Sequence, residues 1–358
     1  MRIFHRFATA MLAALLSFAA AHSASAEKMK VGFIYIGPPG DHGWTYAHDQ
    51  GRLQLEEELG SKVETTFVEG VPEGPDAERT IATLAQTGHK LIFTTSFGYM
   101  EPTLKVAKRF PDVKFEHATG YKRSANVSTY SARFYEGRYV QGVIAGQVSK
   151  SGVIGYIASF PIPEVIRGIN AFMLGAQTQN PNIKVKVVWV YTWYDPGKEA
   201  DAAKVLMDQG ADIITQHTDS TAAMQEAEER GIHAFGQASD MIQFAPKTQL
   251  TANMNTWGPY YVARTKAVLN GQWESQDTWD GMAAGMVVMA PFTNMPSDIA
   301  AVAQQTYDDI RSGKLHPFRG PINDQSGKEV VAAGQVADDG MLAGMNFYIE
   351  GIDGEVPK

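Results

Sequence analysis

From Lys30 onward the chain alternates short β-rich apolar runs with longer runs patterned for helices, and near Gly152 the alternation begins again. "KVGFIYIG" leads to a helix near Thr45 to Leu59, "KVETTFVEG" to one near Asp76 to Thr87, and "KLIFTTS" to one near Glu101 to Phe110. "VKFEHATG" and "NVSTYSARF" then lead into "YEGRYVQGVIAGQVSK", a buried-helix pattern. In the second round "GVIGYIASF", "IKVKVVWVYTW", "ADIITQHT" and "IHAFGQAS" are the strands, with helical segments between them. A repeated strand-helix order implies a parallel sheet covered by helices on both faces, so the chain reads as α/β with two similar lobes.

The loop residues of "SKSG" place the boundary near Lys150 to Gly152. After "TQLTANMNTW" the regularity weakens to a helix near Pro259 to Asn270, a strand-like "MAAGMVVMAPF", a helix near Ser297 to Ser312 and a mixed tail. Segments shared in this way imply a chain that crosses between lobes more than once, which makes a hinge. The predicted lobes are residues 27–150 with about 258–292, and 151–257 with about 293–358. Gly142 and Gly146 form a G-x-x-x-G, read here as letting a helix approach its sheet closely.

Residues 1–26 read as a secretory signal peptide: a basic start at Arg2, His5 and Arg6, the apolar "FATAMLAALLSFAAA", and small residues at Ala24 to Ala26. No later stretch has the roughly 18 uninterrupted apolar residues of a membrane span. Zero cysteines exclude disulfides, thiolate metal sites and a lipidated N-terminal Cys, which fits a freely diffusing periplasmic protein. The formal charge is −8, and without Arg2 and Arg6 the balance is 29 Lys+Arg against 39 Asp+Glu, or −10. Nucleic-acid binding, which needs a clustered basic face, is therefore not expected.

Ligands of open parallel sheets bind outside the carboxyl ends of the strands. That rule selects "GPPGDHGW", "TTSFGYM", "HATGY", "ASFPIPE", "YTWYDP", "QHTDS" and "GQASD". These loops offer Trp44 and Phe97 from lobe one, and Phe160 and Trp193 from lobe two, as aromatic faces for a flat ligand. Asp41, Asp219 and Asp240 are acceptors for ligand N–H or hydroxyl groups, and each is also a candidate helix cap, Asp219 most of all because "STAAMQEA" follows it. Catalytic and metal patterns are missing: "TTSFG" lacks the first glycine of G-x-S-x-G, no phosphate-binding glycine loop occurs, and His42 and His48 have the wrong spacing for a metal helix. No cofactor is expected.

The order "GDHGWTYAHDQG", "SFPIPEVIRGINAF", "WYDPGKEADAA", "ITQHTDSTA", "ASDM" and "KLHPFRGPINDQSGK" resembles the basic membrane protein family of ABC-transporter substrate-binding proteins. The resemblance spans essentially all of the chain after residue 26. It implies a type I periplasmic binding protein, two Rossmann-like lobes with parallel sheets joined by a hinge, that closes on a purine nucleoside or related purine and delivers it to an inner-membrane ABC permease as a monomer. By position it puts the family's first-loop acid and stacking aromatic on Asp41 and Trp44, its second aromatic face on Phe160 or Trp193, and its late acid on Asp240. Many relatives are lipoproteins, which a chain without cysteine is not. Relatives carry a Lys-Ser-Phe-like loop where this chain has "HGW", and the larger indole shifts the expectation toward a free base, adenine first. The alternatives are a periplasmic enzyme acting on nucleosides and a ligand-sensing partner of a membrane receptor.

Overall fold

The computed structural model describes residues 27–358; the expected leader at 1–26 lies outside them. The first round of elements is β1 (Met29–Ile34), α1 (Gly43–Leu59), β2 (Val63–Val68), α2 (Pro75–Gln86), β3 (Leu91–Thr94), α3 (Met100–Arg109), β4 (Lys114–Ala118) and β5 (Val127–Ala132). The second is α4 (Phe134–Val148), β6 (Val153–Ala158), α5 (Pro163–Gln177), β7 (Lys184–Trp189), α6 (Pro196–Asp208), β8 (Ile213–His217), α7 (Ala222–Arg230), β9 (His233–Ala238) and β10 (Gln249–Asn255). The shared part holds α8 (Gly258–Leu269), β11 (Asp277–Asp280), β12 (Val287–Met289), α9 (Ser297–Arg311), β13 (Ile322–Asn323), β14 (Glu329–Val331), α10 (Asp339–Ala343) and β15 (Ile352–Asp353).

Local chemistry sets these boundaries. Pro75, Pro163 and Pro196 open α2, α5 and α6, where a missing N–H costs no hydrogen bond. Asp195 caps α6 by accepting from the Lys198 N–H, and Gly231 ends α7 at φ 65°, a left-handed conformation that favours glycine. All four residues of β3 are buried, as a strand covered on both faces requires.

The first sheet has the order β11-β5-β4-β3-β1-β2 and is parallel throughout. The second runs β12-β10-β9-β8-β6-β7-β15, with only β12 antiparallel. The chain crosses between the sheets between β5 and α4, between β10 and α8, and between β11 and β12. Return of α8 to the first lobe is secured by a buried cluster: Arg264, Tyr260 and Trp273 each donate to the Glu116 carboxylate at 2.6 Å.

Two boundaries differ from the sequence reading. The helix assigned to lobe one, α4, packs on α5, α9 and β10 of the second lobe, so the first crossing falls at Arg133 and not near Lys150. Its glycines serve that helix pair: a Cβ at Gly142 would lie 2.0 Å from the Phe172 carbonyl oxygen, and one at Gly146 2.4 Å from that of Ala176. The close approach is therefore to α5 and not to a sheet. The segment 287–289, expected in lobe one, is β12 on the second sheet, where it pairs with β10.

Candidate functional site

Between the carboxyl ends of the two sheets lies a cavity with about 330 Å³ of empty space. Ile36, Trp44, Ser96, Phe97 and Thr119 line it from the first lobe, and Glu164, Trp193, His217, Asp219 and Gln237 from the second. The lobes touch beside it. Gly43 donates its N–H to Ser239 Oγ at 2.8 Å, and a Cβ at Gly43 would sit 2.1 Å from the Asp219 carbonyl oxygen. Only glycine permits that approach, and its φ of 75° is one glycine adopts freely.

On the first-lobe side Trp44 and Glu73 are already engaged. Trp44 donates its indole N–H to the Thr95 carbonyl at 2.6 Å, and its ring stands edge-on to His48, Phe134 and Trp257 at centroid distances of 4.3, 5.8 and 5.5 Å. His48 stacks on Trp257 at 4.7 Å, and burial pushes its pKa well down, so it is a neutral core ring. Glu73, in the turn after β2, accepts from Ser96 Oγ at 2.6 Å and from the Gly98 N–H at 2.9 Å. From across the cleft it also accepts the Trp193 indole N–H at 3.1 Å.

On the second-lobe side the groups are buried but short of partners. Asp219 is 6% exposed, and no described residue donates to its carboxylate. Burial raises its pKa well above the usual carboxylate range, and the nearby Glu199 and Glu164 raise it further. His217 Nε2 lies 3.5 Å from Glu164 Oε1; burial lowers the imidazole pKa despite that carboxylate, with Arg138 adding to the lowering. Glu199 sits beneath, its carboxyl raised by burial while accepting the Asp195 and Ser220 N–H groups at 2.9 and 3.0 Å.

Four non-glycine residues at the cleft ends of strands hold left-handed backbone: His42, Thr119, Tyr191 and Ala238, with φ of 54° to 60°. Such conformations cost about 1–3 kcal/mol each and cluster where a structure holds loops in place for a ligand.

Of the residues singled out by sequence, Trp44, Phe97, Trp193 and Asp219 line the cavity. Phe160 is outside the lining and packs on Trp193 at a centroid distance of 5.0 Å. Asp240 is outside the lining and caps its own turn, accepting from the Ile242 N–H at 3.1 Å and Gln249 Nε2 at 2.7 Å. Asp41 sits on the Pro39–Asp41 turn before α1, and its side chain lies outside what is described. Asp219, the acid most expected to cap a helix, caps none: Thr221 precedes α7. Ser96, Thr119, Glu164, His217 and Gln237 were not singled out, although each stands in one of the strand-end loops. Glu73 carries no local signal. Among the described residues no group of three or more His, Asp or Glu is arranged to hold a metal.

Two lobes built on largely parallel sheets, three crossings and a cavity between strand ends define the fold of the type I periplasmic binding proteins. The chain belongs to the Bmp family, PnrA-like ABC transporter substrate-binding proteins, whose family model matches residues 28–326. Its family thus binds substrates for transport and is not enzymatic. It is 65% identical, over 98% of this chain and 99% of the relative, to a purine-binding protein of Brucella abortus. A Haloferax volcanii protein named for glucose binding by an ABC transporter is 35% identical over 93% of this chain and 82% of its own length. Among solved structures, an ABC transporter solute-binding protein from Aeropyrum pernix matches with a TM-score of 0.69 at 20% identity, covering 80% of this chain and 92% of the other. A transcriptional activator from Bacillus halodurans matches with a TM-score of 0.68 at 23% identity, covering 80% and 99%. These two likenesses concern the fold.

Proposed function

We propose that this chain is the periplasmic receptor of an ABC importer and binds a purine base, adenine first, in the cavity between its lobes. The observation that carries the reading is a cavity lined by an indole from each lobe, Trp44 and Trp193, and by a carboxyl with no described hydrogen-bond partner, Asp219. A flat heteroaromatic ring offers faces for the indoles to pack on, and ring N–H groups supply the donors that Asp219 lacks. The purine name of the 65% identical relative supports the same choice. A ring enters with the lobes apart. Closure then excludes water from the contacts, and the ligand selects the closed form by binding it more tightly. Residues 1–26 are read as the export leader.

A purine nucleoside is the second reading. A larger groove with about 1250 Å³ of empty space shares Phe97, Thr119 and Glu164 with the cavity, which gives a ribose a place to extend. The test is a thermal-shift panel of bases, nucleosides and sugars on protein unfolded and refolded to strip ligand. A specific binder at a hundredfold excess over its Kd stabilises by about 2.7 kcal/mol. Shifts with purine bases that exceed those with their nucleosides support the first reading and the reverse order the second; shifts with sugars alone overturn both.

A further inference from the structure

The cavity holds a buried amide whose orientation is dictated from behind. Gln237, near the end of β9, is 4% exposed and lines the cavity. Its Oε1 accepts a hydrogen bond from Arg138 Nη2, while its Nε2 donates to no described residue. Arg138, on α4, is fully buried and reaches only neutral oxygens: Gln141 Oε1 at 3.1 Å, Thr215 Oγ1 at 3.2 Å, the Gln216 carbonyl at 2.7 Å and Gln237 Oε1. No described carboxylate pairs with it. A guanidinium has donors and no acceptor, so an amide turned the other way would set its NH2 against N–H groups. The oxygen must face Arg138.

We propose that Gln237 is a hydrogen-bond donor of the binding cavity, held in that sense by Arg138, and that it meets an acceptor atom of the bound ring. This rests on the purine reading above and sharpens it. Gln237 takes an acceptor, a ring nitrogen or a carbonyl oxygen, while Asp219 takes an N–H. The cation behind the amide polarises it and strengthens the N–H as a donor. A ligand edge with both a donor and an acceptor satisfies the pair, which amino- and oxo-purines have and unsubstituted hydrocarbon rings lack. Arg138 touches no ligand in this scheme. It is a positioning residue.

The experiment is calorimetric titration of adenine, hypoxanthine and guanine into ligand-stripped wild type, Gln237→Met, Gln237→Glu, Arg138→Met and the Arg138→Met/Gln237→Met double variant, with ligand-free melting curves for each. Gln237→Glu pairs its carboxylate with Arg138 and keeps the site's shape, so it tests the donor without emptying the position. The purine that binds wild type most tightly is expected to lose about tenfold in Gln237→Met and about a hundredfold in Gln237→Glu, where an acceptor faces an acceptor. Arg138→Met is expected to weaken binding, and the double variant to weaken it little beyond Gln237→Met, because both act through one hydrogen bond. A Gln237→Glu protein that binds as well as wild type, or better, overturns the proposal, since the amide would then be presenting its oxygen. Losses that simply add in the double variant overturn the role given to Arg138. If Arg138→Met fails to fold, the comparison of Gln237→Glu with Gln237→Met decides the donor question alone. Wild-type protein that binds none of the three purines overturns the purine reading and this inference together; unchanged affinity in the Gln237 variants of a purine-binding wild type overturns this inference only.

Discussion

The two sides of the cavity are built on opposite principles. On the first-lobe side the two main polar groups near the cavity have protein partners: the Trp44 indole N–H is on Thr95, and the Glu73 carboxylate is on Ser96, Gly98 and Trp193. On the second-lobe side Asp219 and Gln237 line the cavity, and the Asp219 carboxyl and the Gln237 amide nitrogen have no described hydrogen-bond partner. A ligand that shields these groups from water must supply their partners, because a buried polar group left unpaired costs about 1–3 kcal/mol, whereas Trp44 and Glu73 keep the partners they have. On the proposed reading this is a division of labour: one lobe offers groups already engaged within the protein, and the other offers hydrogen-bonding groups for the ligand to engage.

The comparison breaks most sharply at Asp219. Replacing Asp219 with Ala is expected to weaken purine binding by about a hundredfold or more, because a charge-assisted hydrogen bond is lost. The same residue sets a pH dependence. Its pKa is raised in the ligand-free protein by burial and by Glu199 and Glu164, and a donated N–H favours the ionised form. Affinity should therefore rise with pH until the ligand-free pKa is passed, and binding should release a proton, read by titration in buffers of different ionisation enthalpy. Asp219→Ala should show no such proton release, and proton uptake by wild type would contradict the assignment.

Trp44→Ala tests the engaged side. Loss of ring stacking, worth about 1–3 kcal/mol, should weaken binding roughly tenfold, and the melting temperature should fall because the same ring packs on His48, Phe134 and Trp257. A fall in melting temperature with unchanged affinity would make Trp44 packing alone. Glu73→Ala removes the bond that reaches across the cleft to Trp193, and about a fivefold loss is expected, seen mainly as faster ligand release in stopped-flow fluorescence. The smallest effect belongs to Asp240→Ala. Its carboxylate is engaged by Ile242 and Gln249, so affinity should stay within about twofold while stability drops by about 1 kcal/mol in denaturant titration. A large affinity loss there would erase the distinction between engaged and unengaged acids.

Much of the architecture was legible because periodicity and turn residues are local. The alternation of strands and helices, its restart, and the loops at strand ends all follow from patterns a few residues long, and those loops contain nearly all of the cavity's residues. The side to which α4 belongs was not legible, because a buried helix rich in small residues looks the same whether its glycines meet a sheet or, as here, the carbonyls of α5. Asp219 and Asp240 are equivalent in kind, each two residues past a strand. What separates them is that Gln249 and the Ile242 N–H happen to reach one and nothing reaches the other. The choice between Phe160 and Trp193 was likewise one of placement: the two rings pack on each other, and the fold puts Trp193 on the cavity lining and Phe160 outside it.

The sequence by itself determined two parallel-sheet lobes, a chain that passes between them repeatedly, and the loops from which a binding site must come, since these depend on short-range preference and burial. Only the tertiary structure decided which polar groups are satisfied. Glu73 meets Trp193 from 120 positions away and Arg138 meets Gln237 from 99, and no local pattern encodes a hydrogen bond between atoms so distant along the chain.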